Sequence, residues 1–213
     1  PAEISFPIVN HWRWSFSFSP DEKALLVRTS MDMLTAYSLT SRIEQTRLNG
    51  LGVDIARIST EGRYAAIVFR TAGAENQSEV SLVVKDLQTG DTLHENRDCN
   101  VTVMEFTPWG QALVMGDMDG EIALWQPAPQ NLSWHVKPHQ TEVAALAFGG
   151  SDPLLVATAD REGFIWVGEV SSGVERMKIS CPAQKASALA FSTDGRCLAV
   201  AGGLRIFVYE TKT

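Results

Sequence analysis

Val143-Ala144-Ala145-Leu146-Ala147-Phe148 is an apolar run, and Gly149-Gly150-Ser151-Asp152-Pro153 closes it with turn-forming residues. The pattern returns along the chain. Ala186-x-x-Leu189-x-Phe191 precedes Ser192-Thr193-Asp194-Gly195, and Val101-x-x-Met104-x-Phe106 precedes Thr107-Pro108-Trp109-Gly110. Val53-x-x-Ala56-x-Ile58 precedes Ser59-Thr60-Glu61-Gly62, and Phe16-x-Phe18 precedes Ser19-Pro20-Asp21-Glu22. The anchors Phe18, Ile58, Phe106, Phe148 and Phe191 are spaced by 40, 48, 42 and 43 residues. A fixed period in this range marks a repeat architecture.

Each unit has the texture of short strands, with turn residues every eight to twelve positions. Leu113-Val114-Met115 and Leu154-Leu155-Val156-Ala157 read as second strands. Ile122 to Trp125 and Phe164 to Val167 read as third strands. Asn131 to Val136 and Val174 to Ile179 alternate in polarity, as half-exposed fourth strands do. Four strands in about 42 residues make one blade of a β-propeller. The predicted fold is therefore all-β, with units near 11–50, 51–99, 100–140, 141–184 and 185–213 in a single domain spanning 1–213. The fifth unit supplies three strands, and strand-like Glu3 to Val9 is a candidate ring-closing strand. The five units form either a closed five-bladed ring or part of a larger, seven-bladed one.

The chain has 213 residues, 18 basic and 25 acidic, for a net charge of −7. That balance argues against duplex nucleic acid and anionic membrane as partners. Cys99, Cys181 and Cys197 form no CxxC pair, so a zinc ribbon or thioredoxin-like site is not expected. Free thiols, no apolar run near ~20 residues and no leader at Pro1-Ala2-Glu3-Ile4 point to a cytoplasmic or nuclear setting.

Phe106-Thr107-Pro108-Trp109-Gly110, followed by Met118-Asp119-Gly120-Glu121-Ile122-Ala123-Leu124-Trp125, resembles the WD40 repeat. That repeat runs aromatic-Ser-Pro-Asp-Gly, strand, Asp-Gly-Thr, then a strand ending in Trp-Asp. Phe18-Ser19-Pro20-Asp21 and Phe191-Ser192-Thr193-Asp194-Gly195 match its first half, and Pro138-His139 resembles its Gly-His pair. The resemblance covers the chain from about residue 11 onward. Trp125-Gln126, Lys85-Asp86, Tyr209-Glu210 and Tyr37-Ser38 replace the Trp-Asp pair. The resemblance implies that His139 pairs with Asp160 as a structural element. It also implies a non-catalytic protein-interaction scaffold.

No Walker loop, GxGxxG, HExxH or GxSxG is present. No cofactor or metal is expected. The expected partner is a protein or peptide, or other domains of a longer parent chain. In a propeller, the loops from second to third strands share one side with the entry segment. There the sequence places Trp12, Arg13, Arg28, Arg70, Met118 and Arg161, residue types suited to an interface. The strand one-to-two turns read as plain turn chemistry. The rival readings are a propeller enzyme such as a glycoside hydrolase, with Asp54, Asp117 and Asp160 as axial carboxylates, or a sugar-binding lectin.

Overall fold

The computed structural model describes residues 16–30, 33–41, 43–49, 52–72, 78–97, 99–127, 130–150, 152, 154–182 and 185–211. Glu3 to Val9, Trp12, Trp14 and Arg13 lie outside them. So do residues 73–77. Two compact units emerge from the backbone contacts: Pro1–Cys99 with Phe106–Ala112 and Pro127–Gln130, and Asn100–Glu105 with Leu113–Gln126 and Asn131–Thr213.

The first unit contains two antiparallel four-stranded sheets in chain order. Strands β1 (Phe16–Phe18), β2 (Ala24–Ser30), β3 (Met33–Ser38) and β4 (Ile43–Asn49) form one. Strands β5 (Val53–Ile58), β6 (Tyr64–Ala72), β7 (Ser78–Asp86) and β8 (Thr92–Asn96) form the other. The third sheet comprises β9 (Val101–Phe106), β10 (Leu113–Asp117), β11 (Ile122–Gln126) and β12 (Asn131–Val136). It belongs to the second unit, except for Phe106 and the turn after it. The fourth comprises β13 (Val143–Gly149), β14 (Leu155–Asp160), β15 (Phe164–Glu169) and β16 (Glu175–Ser180). The fifth has three strands, β17 (Ala188–Phe191), β18 (Cys197–Gly202) and β19 (Arg205–Glu210). Among the described residues there is no α-helix, only a 3-10 turn at Thr60–Gly62.

The repeat is visible in hydrogen bonds. The residue after four of the five anchors is Ser or Thr, Phe148 being followed by Gly149, and each of the four hydroxyls closes the first turn. Ser19 Oγ accepts from Ala24 N at 2.9 Å, Ser59 Oγ from Tyr64 N at 2.8 Å, Thr107 Oγ1 from Ala112 N at 3.3 Å and Ser192 Oγ from Cys197 N at 2.9 Å. Asp21 and Asp194 then accept from Ser19 and Ser192, both at 2.6 Å. Small polar side chains are the ones that can bond their own backbone in so tight a loop. A second regularity lies between third and fourth strands. The pairing slips by one residue between Ala36 and Tyr37, Val84 and Lys85, Leu124 and Trp125, and Val167 and Gly168. All four four-stranded sheets thus carry a bulge there, which increases local twist.

Each unit has its own core between consecutive sheets. In the first, Ala24, Leu26, Leu34 and Ala36 of one sheet meet Ala56, Ile58, Ala65 and Ile67 of the next. In the second, Leu155, Ala157, Ala159, Ile165 and Val167 meet Leu198 and Val200, with Leu189, Phe191, Phe207 and Tyr209 packed alongside.

The anchors are equivalent in register but not in burial. Phe106 is 1% exposed and Ile58 0%, whereas Phe18 is 51% exposed. The repeat leads one to expect Phe106, Phe148 and Phe191 to be equally buried, but Phe148 and Phe191 are half-buried, which corrects that expectation for these two. Phe191 enters a gap that Gly149 provides, where a Cβ would stand 2.1 Å from its ring. Trp125 and Trp166 are buried as expected. Trp134 is half-buried, and its indole N–H donates to Val170 O at 2.9 Å.

Candidate functional site

Among the described residues of the first unit a concavity arises at strand one-to-two turns, where the sequence promised only turn chemistry. The 3-10 turn Thr60–Gly62 leads into β6, and the turn Thr107 to Ala112 lies against it. Thr60 Oγ1 donates to Pro108 O at 3.1 Å. Gly110 has φ +70°, and a Cβ there would lie 2.4 Å from Thr60 Cβ, so glycine is required twice over. This close seating carries the neighbouring Trp109 to the surface, where it is 47% exposed.

Trp109, Tyr64, Arg63, Thr60, Glu61 and Gln111 line a cleft of about 460 Å³ with Gly110 at its base. Arg63 lies over the Tyr64 ring, its guanidinium carbon 4.9 Å from the centroid. Its Nε donates to Asp86 Oδ2 at 3.2 Å. Burial pushes the Asp86 carboxyl up, but the N–H groups of Gln88 and Thr89 and the Arg63 charge more than offset this and hold it below the usual carboxylate range. Asp86 therefore keeps its charge and fixes Arg63 at the cleft. An indole, a phenol ring, a guanidinium, an amide and a carboxylate meet there. Such a set can stack against a planar group and exchange side-chain hydrogen bonds, and aromatic and Arg side chains are those that dominate interface energy once desolvated.

The four described members of the expected interface lie elsewhere. Arg28 is on β2 and Arg70 on β6, within strands and not in loops. Arg70 donates to Asp54 at 3.0 Å. Met118 and Arg161 occupy turns of the second unit; Met118 is 50% exposed, and Arg161 is held by Glu142 at 2.5 Å. None of the four lines the Trp109 cleft or the cavity beside His139 in the second unit. Arg63 and Tyr64 escaped the sequence reading because nothing local shows that Trp109, some 45 residues on, folds beside them. The only signal was Trp109 itself, a large aromatic where a turn cannot bury it.

The second unit has a smaller cavity of about 170 Å³, lined by Pro138, His139, Phe164, Ile165, Trp166, Lys178, Ile179 and Ser180. His139 is 1% exposed and Asp160 0%. The expected pairing places Nδ1 3.4 Å from Asp160 Oδ2, poorly aligned, and neither atom finds a better partner. His139 Nε2 meets Thr158 Oγ1 at 2.8 Å. Burial pushes the ring's pKa down; Asp160 opposes this and Lys178 adds to it.

The carboxylates of the enzyme reading are engaged structurally. Asp160 accepts from the N–H groups of Glu162 and Phe164 at 3.0 and 2.8 Å. Asp117 accepts from Asp119 and Glu121 at 2.9 and 2.8 Å, and Asp54 holds Arg70. Among the described residues, no three His, Cys, Asp or Glu side chains gather as a metal site.

No family model matches the chain, and no curated protein does. Solved structures do: 1546 chains match, too many for the shape alone to select a function. One is the computationally designed Ika8 protein, 16% identical, with a TM-score of 0.71 over 92% of this chain. The match spans 57% of that designed chain. At this identity the likeness speaks for the fold alone.

Proposed function

We propose that the chain is a WD40-like β-propeller module that acts as a non-catalytic protein-interaction scaffold, and that it grips a peptide segment in the Trp109–Tyr64–Arg63 cleft. One observation carries the reading: an indole 47% exposed faces a built concavity with a guanidinium fixed by a buried carboxylate. The repeated sheets, the hydroxyl-closed turns and the His139–Asp160 approach support the propeller assignment. The hydrogen bonds that tie Asp117 and Asp160 into turns, and the Asp54 ion pair, argue against the glycoside hydrolase reading.

The test starts with affinity capture from native extract and mass spectrometry. The captured protein is then titrated against wild type, Trp109→Ala and Arg70→Ala. Trp109→Ala should weaken binding at least thirtyfold, about 2 kcal/mol, with the circular dichroism spectrum unchanged. Arg70→Ala should bind like wild type. The reverse pattern would return the site to the loops first expected from the sequence.

A further inference from the structure

The third residue of each hydroxyl-closed turn is Asp21, Glu61, Trp109 or Asp194. Among these four, Glu61 alone has a left-handed backbone, with φ +60°. A residue other than glycine is strained there, and such strain gathers at functional sites. Asp21, from the turn of the first sheet, holds it in place: the Glu61 N–H donates to Asp21 Oδ2 at 3.1 Å. The Glu61 carboxylate is left exposed and lines the cleft together with Trp109. The residues just before Glu61 and Trp109 are joined by the hydrogen bond from Thr60 to Pro108, so both side chains start from one junction.

The charges around this junction do not cancel. Arg63 is matched by Asp86, whose side chain is only 5% exposed, and its guanidinium already occupies a face of Tyr64. Glu61 has no equal match. Among the described residues its ion-pair partner is Lys23, which stands 4.0 Å from it and 3.5 Å from Asp21, shared between two carboxylates. Of these linked groups Asp21, Glu61 and Asp86 are negative against Lys23 and Arg63, which leaves one negative charge in excess. The whole chain carries −7. No described ring or guanidinium lies on the exposed Trp109 indole. An open indole face beside an unmatched carboxylate attracts a cation, because the face of the ring is electron-rich. A guanidinium suits it better than an ammonium, being planar, weakly hydrated and forked toward a carboxylate.

We propose, on the reading of this cleft as the peptide site, that it recognises an arginine side chain of the partner, the guanidinium stacked on Trp109 and its N–H groups donating to Glu61. Arg63 and Asp86 form the neutral wall behind it. An acidic segment is disfavoured, because Asp86 already answers Arg63 while Glu61 repels it.

The test titrates the 213-residue chain with the probe acetyl-Gly-Ser-Arg-Ser-Gly-amide and with its lysine and glutamate counterparts. The indole N–H signal of Trp109, identified by its loss in Trp109→Phe, reports binding by nuclear magnetic resonance. The arginine peptide should shift this signal saturably, the lysine peptide more weakly and the glutamate peptide not at all. Added salt should weaken the arginine peptide. Glu61→Lys should weaken it at least about tenfold. Glu61→Gly relieves the left-handed backbone, so it should raise the melting temperature and still weaken the peptide, which separates lost binding from lost folding. An arginine peptide that leaves the signal unmoved, a glutamate peptide that binds as well, or unchanged affinity in Glu61→Lys each overturns the proposal. The captured partner tells this proposal apart from the cleft reading beneath it. Binding weakened by Trp109→Ala but not by Glu61→Lys keeps the cleft and overturns the arginine; binding unaffected by either removes both.

Discussion

His139 shows how one side chain couples sequence, packing and pH. Its ring is buried, and the folded value lies below the ordinary 6.5. Between the two values the unfolded chain binds the extra proton. Stability should therefore be full above about pH 6.5 and fall as pH drops toward the folded value. A melting-temperature series from about pH 7.5 to 5.5 checks this, and His139→Gln should flatten the slope. The neighbouring Gly120 is as constrained: φ is +82°, and a Cβ would stand 2.5 Å from the His139 carbonyl oxygen. Gly120→Ala should cost about 1–3 kcal/mol in a denaturant melt. Both residues were legible, because Asp119-Gly120 and Pro138-His139 are local words whose meaning depends on neighbours in sequence. The cleft was not. Arg63 and Tyr64 gain their meaning only from a turn in another repeat, and no short pattern records that meeting.

At the scale of strands and sheets, periodicity was the strong signal. The expected first strands over Val53 to Ile58 and Val101 to Phe106, and the fourth over Asn131 to Val136, coincide with the observed limits. The strand ends follow from alternation and from the hydroxyl-closed turns. Burial of the anchors was the weak point, because register fixes which side a residue takes but not whether a neighbouring sheet covers it. The consequence is measurable. Phe106→Ala should cost about 3–5 kcal/mol, the range for emptying a buried phenyl site. Phe18→Ala, at the same repeat position but half exposed, should cost under about 1 kcal/mol. Equal losses would mean that Phe18 is covered in solution.

The molecule as a whole divides its contacts between two units. Among the described residues the buried and half-buried indoles, Trp125, Trp166 and Trp134, lie in the second, while Trp109 of the first is already half exposed in the fold and changes its emission little on unfolding. In repeat architectures stability is a sum over local units and their junctions, so cooperativity need not extend over the full chain. Urea unfolding followed by tryptophan emission should therefore not coincide with unfolding followed by backbone circular dichroism. Superimposable curves would show a single cooperative block.

The bulge shared by the four complete sheets has a practical corollary. Opposite Val167 and Gly168, β16 offers Met177 and Glu175 and skips Arg176. β19 occupies the position of β15, and no described strand pairs with its outer edge. A synthetic peptide copied from Glu175–Ser180 already has the extra residue in the right place to zip onto that edge. A regular peptide of equal length loses register halfway. The protein thus contains the template for its own affinity tag, a short encoded strand that could carry a dye or a bead to one defined border of the fold.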